Sequence, residues 1–215
     1  MKQSVEEVIL GDDVYQKAEK LYSAHESELE KYLDLLLSWN EKINLVSRAV
    51  SRETVREHII HSLIPAVKVN EKSLMEGHRE WIDTGTGGGM PGIPLAITNK
   101  ERAFILNDNV RKKMVAVEDM ARELNLENAS AIAKSISLID LPKGTGIISK
   151  HAFKIDDLLR HRKGKGWETI LLYKGVEDAK KELARSRGWN RAVIYSFQFT
   201  GNSFYEGKGL VLLRS

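Results

Sequence analysis

The chain has 215 residues, enough for one sizeable hydrophobic core, and it contains no cysteine. This composition excludes disulfides, cysteine-ligated zinc and a thiol nucleophile; with neither an export signal nor a membrane span in the pattern, we expect a cytoplasmic protein. The formal net charge of +3 permits an RNA partner through local patches but does not by itself predict one.

Residues 12–69 show the three- and four-residue apolar spacing of amphipathic helices. Leu29 and Leu36 lie on one such apolar face. Ser51 is placed to cap a further helix, and Pro65 is expected to kink or shorten it. The first third of the chain is therefore predicted to be helical.

A short apolar strand followed by a glycine-dense loop, EWIDTGTGGGMPGIPLAI, occupies residues 80–97. Asp83 lies at the carboxyl end of the predicted strand. The glycines after it let the backbone approach a ligand without a Cβ clash. They are Gly85, Gly87, Gly88 and Gly89.

Two ligand interpretations of this loop stay open on the glycines alone. Gly87, Gly89 and Gly92 match G-x-G-x-x-G, which is typical of nicotinamide or flavin dinucleotide sites. The D-x-G-x-G-x-G pattern from Asp83 to Gly89 resembles instead the loop of class I methyltransferases, which bind S-adenosylmethionine. Because that cofactor has no pyrophosphate, an acid beside the loop can face its ammonium group.

Apolar strands alternate with amphipathic helices after residue 99, which predicts a parallel sheet covered on both faces. Seven strands are predicted, at 80–84, 103–107, 129–133, 146–150, 169–173, 192–199 and 209–213. A short loop, TGNSFYEGKG, joins the last two, so we expect them to pair as an antiparallel hairpin.

Six parallel strands plus one antiparallel strand form the sheet of class I methyltransferases. We therefore predict an α/β, Rossmann-like fold of that class with an N-terminal helical extension. Residues 1–215 are expected to form a single domain, in which 1–78 are the extension and 79–215 the S-adenosylmethionine-binding core.

Asp108 ends the second predicted strand, near the ~20-residue offset from Asp83 that is expected of an acid holding ribose hydroxyls. It could also cap the helix that begins near Val110. Lys112 and Lys113 open that helix beside the positive end of its dipole, which fits an anionic partner or a solvated face.

None of the six histidines has the spacing of a metal site, so we predict no metal. The basic stretch RHRKGKG, residues 160–166, fits a solvated loop or a nucleic-acid contact. G-x-S-x-G and P-loop motifs are absent from the sequence, which argues against hydrolase and nucleotide triphosphatase functions.

Six short segments together resemble one family. They are WNEKINLVS (39–47), HIIHSL (58–63), DTGTGGGMPGIPLAI (83–97), LNLEN (124–128), ISK (148–150) and YKG (173–175). Over about residues 25–175 the chain resembles the RsmG (GidB) family, the bacterial 16S ribosomal RNA guanine-N7 methyltransferases. The resemblance implies S-adenosylmethionine as methyl donor and a guanine in the decoding region of small-subunit RNA as acceptor.

The resemblance also implies which residues contact the cofactor. Carried over by motif are Gly85, Met90, Ile136, Ser137 and Lys150; the loop and strand arguments add Asp83, Thr86, Gly87, Gly89 and Asp108. Cations expected to contact the RNA backbone are Lys112, Lys113, Lys154, Arg160, Arg162, Lys163 and Lys165. We assign no catalytic residue, because guanine N7 offers a lone pair and loses no proton on methylation.

The chain departs from the family pattern at several positions. Glu57 and His61 replace the arginine and aspartate of R-H-I-L-D-S, serines stand at 135 and 137 in place of arginine and glutamate, and Lys150 stands where arginine is usual. A catalytically degenerate RNA- or ribosome-binding protein is therefore one alternative, and a nicotinamide-dependent oxidoreductase is another. We expect a monomer that acts on 16S ribosomal RNA or the small subunit, away from membranes.

Overall fold

A computed structural model describes residues 3–215, which form a central sheet with helices on both faces. The strands are β1 Ser4–Leu10, β2 Lys68–Val69, β3 Lys72–Ser73, β4 Glu80–Thr84, β5 Ala103–Asp108, β6 Ala129–Ala133, β7 Gly146–Lys150, β8 Thr169–Gly175, β9 Arg191–Phe197 and β10 Lys208–Arg214. The α-helices are α1 Asp12–Ala24, α2 Glu26–Lys42, α3 Arg52–Leu63, α4 Gly92–Thr98, α5 Arg111–Glu123, α6 Ile155–His161 and α7 Val176–Arg185. Short 3₁₀ helices span Ile64–Ala66, Ile136–Leu138 and Ser203–Tyr205.

The sheet has the strand order β1-β9-β10-β8-β7-β4-β5-β6, and β2 and β3 form a separate antiparallel pair. All seven predicted strands are present, and the predicted hairpin is confirmed because β10 runs antiparallel to β9. β10 is also antiparallel to β8, while the other strands of the sheet run parallel to their partners. The predicted strand count was wrong, since the main sheet of the described residues has eight strands, seven parallel and one antiparallel.

The additional strand, β1, lies within the segment 1–78 that was predicted to be a helical extension. It pairs in parallel with β9, from Ser4 beside Arg191 to Leu10 beside Phe197. As the edge strand it exposes most residues on both faces, so its sequence lacks the apolar alternation that marks a half-buried strand. Met1 and Lys2, which also belong to the predicted extension, lie outside the described residues.

Three helices follow β1 and cover one face of the sheet. The predicted cap of α3 is confirmed, because the Ser51 side chain accepts a hydrogen bond from the Thr54 amide. Helix α3 ends at Leu63 and tightens into a 3₁₀ turn containing Pro65, as expected from a residue without an N–H. In residues 3–215, none of the helices combines the length and apolar character that a membrane crossing needs.

Strand β4 lies inside the sheet, between β7 and β5, and its side chains alternate between two hydrophobic cores. Trp81 packs into the core shared with α1 to α5, and Ile82 into the core shared with α6 and α7. The carboxyl ends of β4, β5, β6, β7 and β8 lie along the same edge, because these strands are parallel. The loops that follow them are therefore brought together there.

Candidate active site

A cleft of about 480 Å³ opens at this carboxyl edge. Its walls come from the loops after four strands: Thr84, Gly85 and Gly87 after β4; Asn107 to Val110 and Lys113 after β5; Lys134 to Ile136 after β6; and Lys150 to Phe153 after β7, with His161 of α6. The predicted cofactor contacts Gly85, Gly87, Asp108, Ile136 and Lys150 are thus brought together. Asp83, Thr86, Gly89, Met90 and Ser137 do not line the cleft.

The glycine loop adopts a backbone that side chains rarely allow. Gly85 has φ +72°, and a Cβ on it would lie 2.3 Å from the Cβ of Ala152 and 3.2 Å from the Phe153 ring. Gly87 has φ +58°, with no tight neighbour. The missing side chain at Gly85 therefore lets the loops after β4 and β7 approach each other and form one wall.

Asp83 is fully buried beneath this loop and does not face the cleft. Its Oδ2 accepts hydrogen bonds from the Gly92 amide, at 2.8 Å, and from the Thr86 hydroxyl. Burial raises the pKa of Asp83 to about 7, although both hydrogen bonds oppose that shift. Its position indicates that the carboxyl group holds the loop in shape, whereas the sequence had suggested that it faces a cofactor ammonium group.

Two further predicted residues support the loop from within. The Thr86 side chain is buried and donates to Asp83. Gly89 has φ +98°, and a Cβ there would lie 2.5 Å from the Ile93 side chain of α4, so this left-handed turn favours glycine. Met90 is half-buried against the hydrophobic core.

The dinucleotide interpretation needs backbone amides that can reach a pyrophosphate, and two of its three glycines do not offer them. The Gly89 amide donates to the Thr86 carbonyl at 2.8 Å, and the Gly92 amide donates to Asp83. Both donors are satisfied inside the loop. The geometry therefore favours a ligand without a pyrophosphate.

Asn107 is a structural residue of the loop that no sequence motif indicated. Its carbonyl accepts from the amides of Gly85 and Thr86 at 2.8 and 2.9 Å, and its side chain accepts from the Thr84 hydroxyl. The side-chain amide also donates to the carbonyls of Ile132 and Lys134. A polar residue at the end of a buried strand could have indicated this role. The prediction was made instead for the neighbouring Asp108.

The N-terminal helices reach the loop as well. The Tyr32 hydroxyl of α2 donates to the Gly88 carbonyl at 2.9 Å, and a Cβ on Gly88 would lie 2.6 Å from Leu36 of the same helix. Helix α2 therefore packs directly on the back of the glycine loop.

Asp108 lines the cleft at the end of β5. Its Oδ1 accepts from the Val110 amide at 2.9 Å, next to the start of α5, and its Oδ2 accepts from the Gly87 amide at 3.3 Å. Because a carboxylate has about four acceptor positions, lone pairs remain for ligand hydroxyls. The two roles considered from the sequence, helix capping and hydroxyl binding, are compatible.

Replacing Asp108 by asparagine is expected to weaken S-adenosylmethionine binding about tenfold, the cost of losing a hydrogen bond to a charged acceptor. Titration calorimetry measures this directly. Asp140→Asn, at an exposed aspartate, is the matched control and should bind normally. Equal affinity in both variants would contradict the ribose role of Asp108.

Ile136 supplies an apolar part of the cleft wall after β6 and is only 2% exposed. The hydroxyls of Ser135 and Ser137 hydrogen-bond to each other at 2.9 Å on either side of it. At these two positions the serines thus form a local contact where the family pattern has a charged pair. Ser135 lines the cleft and Ser137 does not.

Lys150 lies at the end of β7 and is anchored to α3. Its Nζ donates to the His58 carbonyl at 2.7 Å and to the Ser62 hydroxyl at 3.2 Å. Burial, together with the charge of Lys208, lowers the pKa of Lys150 to about 7. One ammonium N–H remains for a ligand when the side chain is charged.

His61 stands where the family pattern has aspartate. It is fully buried among aromatic rings, including those of Tyr173 and Phe197, and neither ring nitrogen has a hydrogen-bond partner. Burial lowers the pKa of His61 well below its ordinary value, so the ring is neutral. Within residues 3–215, no three histidine, aspartate or glutamate side chains are placed to hold a metal ion.

The predicted RNA-binding cations fall into separate groups. Lys112 and Lys113 begin α5 and Lys154 precedes α6, so all three lie near the carboxyl edge that carries the cleft. Residues 163–168 lead to the amino end of β8 and therefore run away from that edge. Lys163 is exposed there, and the exposed Arg160 pairs with Asp156 and Asp157. Lys165 pairs with Asp140.

Arg162 differs from the other predicted cations because it is only 1% exposed. Its guanidinium donates to the carbonyls of Ile136 and Ile139 and, more weakly, to those of Lys165 and Gly166. The side chain is therefore not available to an RNA phosphate. It ties the turn that contains Ile136 to the basic stretch.

The sequence of this chain matches one family of known proteins over most of its length. The family model GidB, described as rRNA small subunit methyltransferase G, matches residues 25–199. A ribosomal RNA small subunit methyltransferase G from Chlorobium phaeobacteroides is 31% identical over 199 residues, which cover 87% of this chain and 88% of that protein. One from Haemophilus ducreyi is 30% identical over 74% of this chain and 72% of its own length. Several other relatives of this name are matched over half to two thirds of their length.

The fold is also found among solved structures. The O-methyltransferase TomG from Streptomyces achromogenes, solved with S-adenosylmethionine, matches 85% of this chain and 88% of its own with a TM-score of 0.53. At 14% identity this likeness shows the fold alone, that of a class I methyltransferase. The extent of the family match goes further: this chain belongs to the GidB family of ribosomal RNA small subunit methyltransferases.

Proposed function

We propose that this protein transfers a methyl group from S-adenosylmethionine to N7 of a guanine in small-subunit ribosomal RNA. The observation that supports this most directly is the cleft itself. In a chain of the GidB family, the glycine loop, Asp108, Ile136 and Lys150 meet at the carboxyl edge of the sheet. These residues fit the polar and apolar parts of S-adenosylmethionine.

Bound S-adenosylmethionine supplies the electrophilic methyl group. Asp108 would accept from its ribose hydroxyls, and the apolar side of Ile136 would contact the adenine. Lys150 would lie beside the cofactor at the end of β7. The missing side chain at Gly85 lets the loops after β4 and β7 form one wall beside the cofactor. The same assignment leaves Asp83 and Asn107 to hold the loop in shape.

The acceptor requires no general base, because guanine N7 already offers its lone pair. The protein therefore needs to orient the base and exclude water. The environment of the cleft agrees with this, since burial lowers the pKa of His58 to about 3 and that of His151 to about 4. Both rings are neutral at physiological pH, and histidines with pKa values this low are weak bases.

RNA is expected to reach this edge along Lys112, Lys113 and Lys154. Arg160, Lys163 and Lys165 would extend the contact along the flank, with Arg162 excluded by its burial. Lysine and arginine contacts that neutralise RNA phosphates release counterions, so RNA binding should weaken steeply with added salt. We further propose that the protein acts as a cytoplasmic monomer, with 1–78 as an extension of the 79–215 core.

The test is methyl incorporation from labelled S-adenosylmethionine into purified small subunits and into naked 16S RNA. Borohydride reduction followed by aniline cleavage locates N7-methylguanine at single-nucleotide resolution. Incorporation at one guanine is the expected result. Cofactor and RNA binding without transfer would identify a catalytically degenerate relative, and binding of NADH in place of S-adenosylmethionine would overturn the proposal.

A further inference from the structure

Four basic side chains from three elements converge beside the cofactor cleft. They are His58 of α3, Lys150 and His151 at the end of β7, and Lys208 at the start of β10, and we call them the basic cluster. Contacts show their proximity: the Lys150 Nζ donates to the His58 carbonyl at 2.7 Å, and the Phe204 ring lies 4.9 Å from the His58 ring and 3.3 Å from the Lys208 Nζ. The charges of both lysines accordingly lower the pKa of His58 and of His151.

The two lysines have no carboxylate partner within the described residues. Lys150 is held by a carbonyl and a hydroxyl, and Lys208 lies 3.3 Å from the centre of the Phe204 ring. Glu57, the acid that acts on Lys208, accepts from Tyr15 at 3.1 Å and from Asn202 at 3.5 Å. Two half-buried like charges without an ion-pair partner repel each other, and an anionic ligand would relieve that repulsion.

His61 adds an independent sign of a missing partner. It lies behind the basic cluster, with its ring centre 6.3 Å from that of His151 and 6.0 Å from that of Phe204. The neutral, fully buried ring carries one N–H donor that has no acceptor in the described part of the chain. This unmet donor shows that the region behind the lysines is short of hydrogen-bond acceptors.

The basic cluster lies between two clefts at the carboxyl edge. Lys150 and His151 line the cofactor cleft, whereas Lys208 lines a second cleft of about 1060 Å³. This second cleft is formed by the β9–β10 loop and the start of α7, beside β8. Because neighbouring strands are about 4.8 Å apart, it begins within one or two strand spacings of the end of β7.

We propose that the basic cluster is an oxyanion subsite that holds a phosphodiester of the RNA next to the acceptor guanine. The inference rests on the proposed function. An acceptor base must enter where the two clefts meet, and its own backbone phosphate arrives with it. Lys208 then moves from the Phe204 ring to the phosphate, which leaves the half-buried aromatic ring free to contact the nucleotide.

The carboxylate of S-adenosylmethionine offers the same oxyanion chemistry as a phosphodiester, so the test must separate the two sources. Lys208→Met, and Lys208→Gln as a second neutral variant, remove the charge on the side of the second cleft. Lys100→Met is the matched control, because Lys100 is exposed beyond the end of α4, at the opposite edge of the sheet. Thermal melts establish that each variant is folded.

Affinities are measured for 16S RNA, for S-adenosylmethionine and for its decarboxylated analogue. A loss of RNA affinity of about tenfold in both Lys208 variants, recovered in Lys208→Arg, with unchanged S-adenosylmethionine affinity, is expected. Loss of affinity for S-adenosylmethionine but not for the decarboxylated analogue would overturn the proposal in favour of the cofactor carboxylate. RNA affinity equal to that of Lys100→Met would overturn it outright.

Failure of the proposed function itself would look different, since the wild-type protein would then bind no small-subunit RNA and incorporate no methyl group. If the wild type methylates RNA and Lys208→Met binds RNA as tightly, only the phosphodiester subsite is wrong. The two failures are therefore distinguishable in the same set of measurements.

The pH dependence gives a second readout. The groups that face Lys150 are Lys208 of β10, His58 and His61 of α3, Asp83 of β4, Tyr173 of β8 and its neighbour His151. With the pKa of Lys150 at about 7, its charged fraction rises about tenfold between pH 8 and pH 6. RNA affinity is expected to rise by up to that factor, and Lys150→Met should remove the increase. An unchanged pH profile in Lys150→Met would overturn the role of Lys150 in the subsite.

Discussion

Replacing Gly85 by alanine is expected to lower the affinity for S-adenosylmethionine at least about 100-fold, or about 2.8 kcal/mol. The new Cβ would lie 2.3 Å from the Cβ of Ala152, and that atom belongs to a short side chain that cannot swing away. Relieving the overlap must move the loop after β7, which forms a wall of the cleft. Titration calorimetry with S-adenosylmethionine measures the loss.

The control separates this clash from backbone strain. Gly188 also has a left-handed backbone, with φ +91°, but a Cβ there would meet nothing within 4 Å. Gly188→Ala therefore carries the same kind of strain, about 1–2 kcal/mol, at a position remote from the cleft. It should lose stability but bind the cofactor normally. Near-normal binding by Gly85→Ala would show that the contact between the loops after β4 and β7 does not shape the cofactor site.

Replacing Asp83 by asparagine is expected to change how the stability of the protein depends on pH. Burial raises the pKa of Asp83 to about 7, whereas an aspartate in the unfolded chain titrates near 3.9. The folded protein therefore holds the proton more tightly. The stabilisation from that proton is complete below about pH 4 and is lost as the pH rises to about 7.

Asparagine is nearly isosteric and does not titrate. Its side-chain oxygen can accept from the Gly92 amide and the Thr86 hydroxyl, as Asp83 does. The unfolding free energy of Asp83→Asn minus that of the wild type should therefore rise by roughly 4 kcal/mol between about pH 3 and about pH 8 and then level off. Urea unfolding followed by circular dichroism at several pH values gives this difference.

Asp140→Asn provides a control of opposite sign. The exposed carboxyl of Asp140 has its pKa lowered by Lys165, so its contribution to stability appears as the pH rises. The corresponding difference curve should be shallow and should fall with pH. A flat curve for Asp83→Asn would mean that the buried carboxyl group is not held protonated, and would contradict the cause assigned to its pKa.

The loop after β4 shows which features of the site can be predicted from local sequence and which cannot. The glycine spacing correctly predicted a strand, a tight loop and a helix, because each glycine requirement is a local property of the backbone. The role of Asp83 was not predictable in the same way. Whether its carboxyl group turns into the loop or into the cleft depends on Gly92, which the chain brings back over it only in the folded structure.

Arg162 illustrates the same limit among the charged residues. A basic stretch normally indicates a solvated surface, and the residues on either side of Arg162 are exposed. Arg162 is buried because four carbonyl oxygens from two separate segments surround its guanidinium. No local pattern contains those segments together.

The sequence by itself determined the alternation of strands and helices, the terminal hairpin, the glycine loop and membership of the family, because these are carried by short-range periodicity and by contiguous motifs. Only the tertiary structure decided that β1 joins the sheet beside β9, that Asn107 holds the loop, and that Lys150 and Lys208 share one basic cluster. The physical reason is that pairing across distant segments and the direction of each side chain are fixed by packing, which local sequence does not encode.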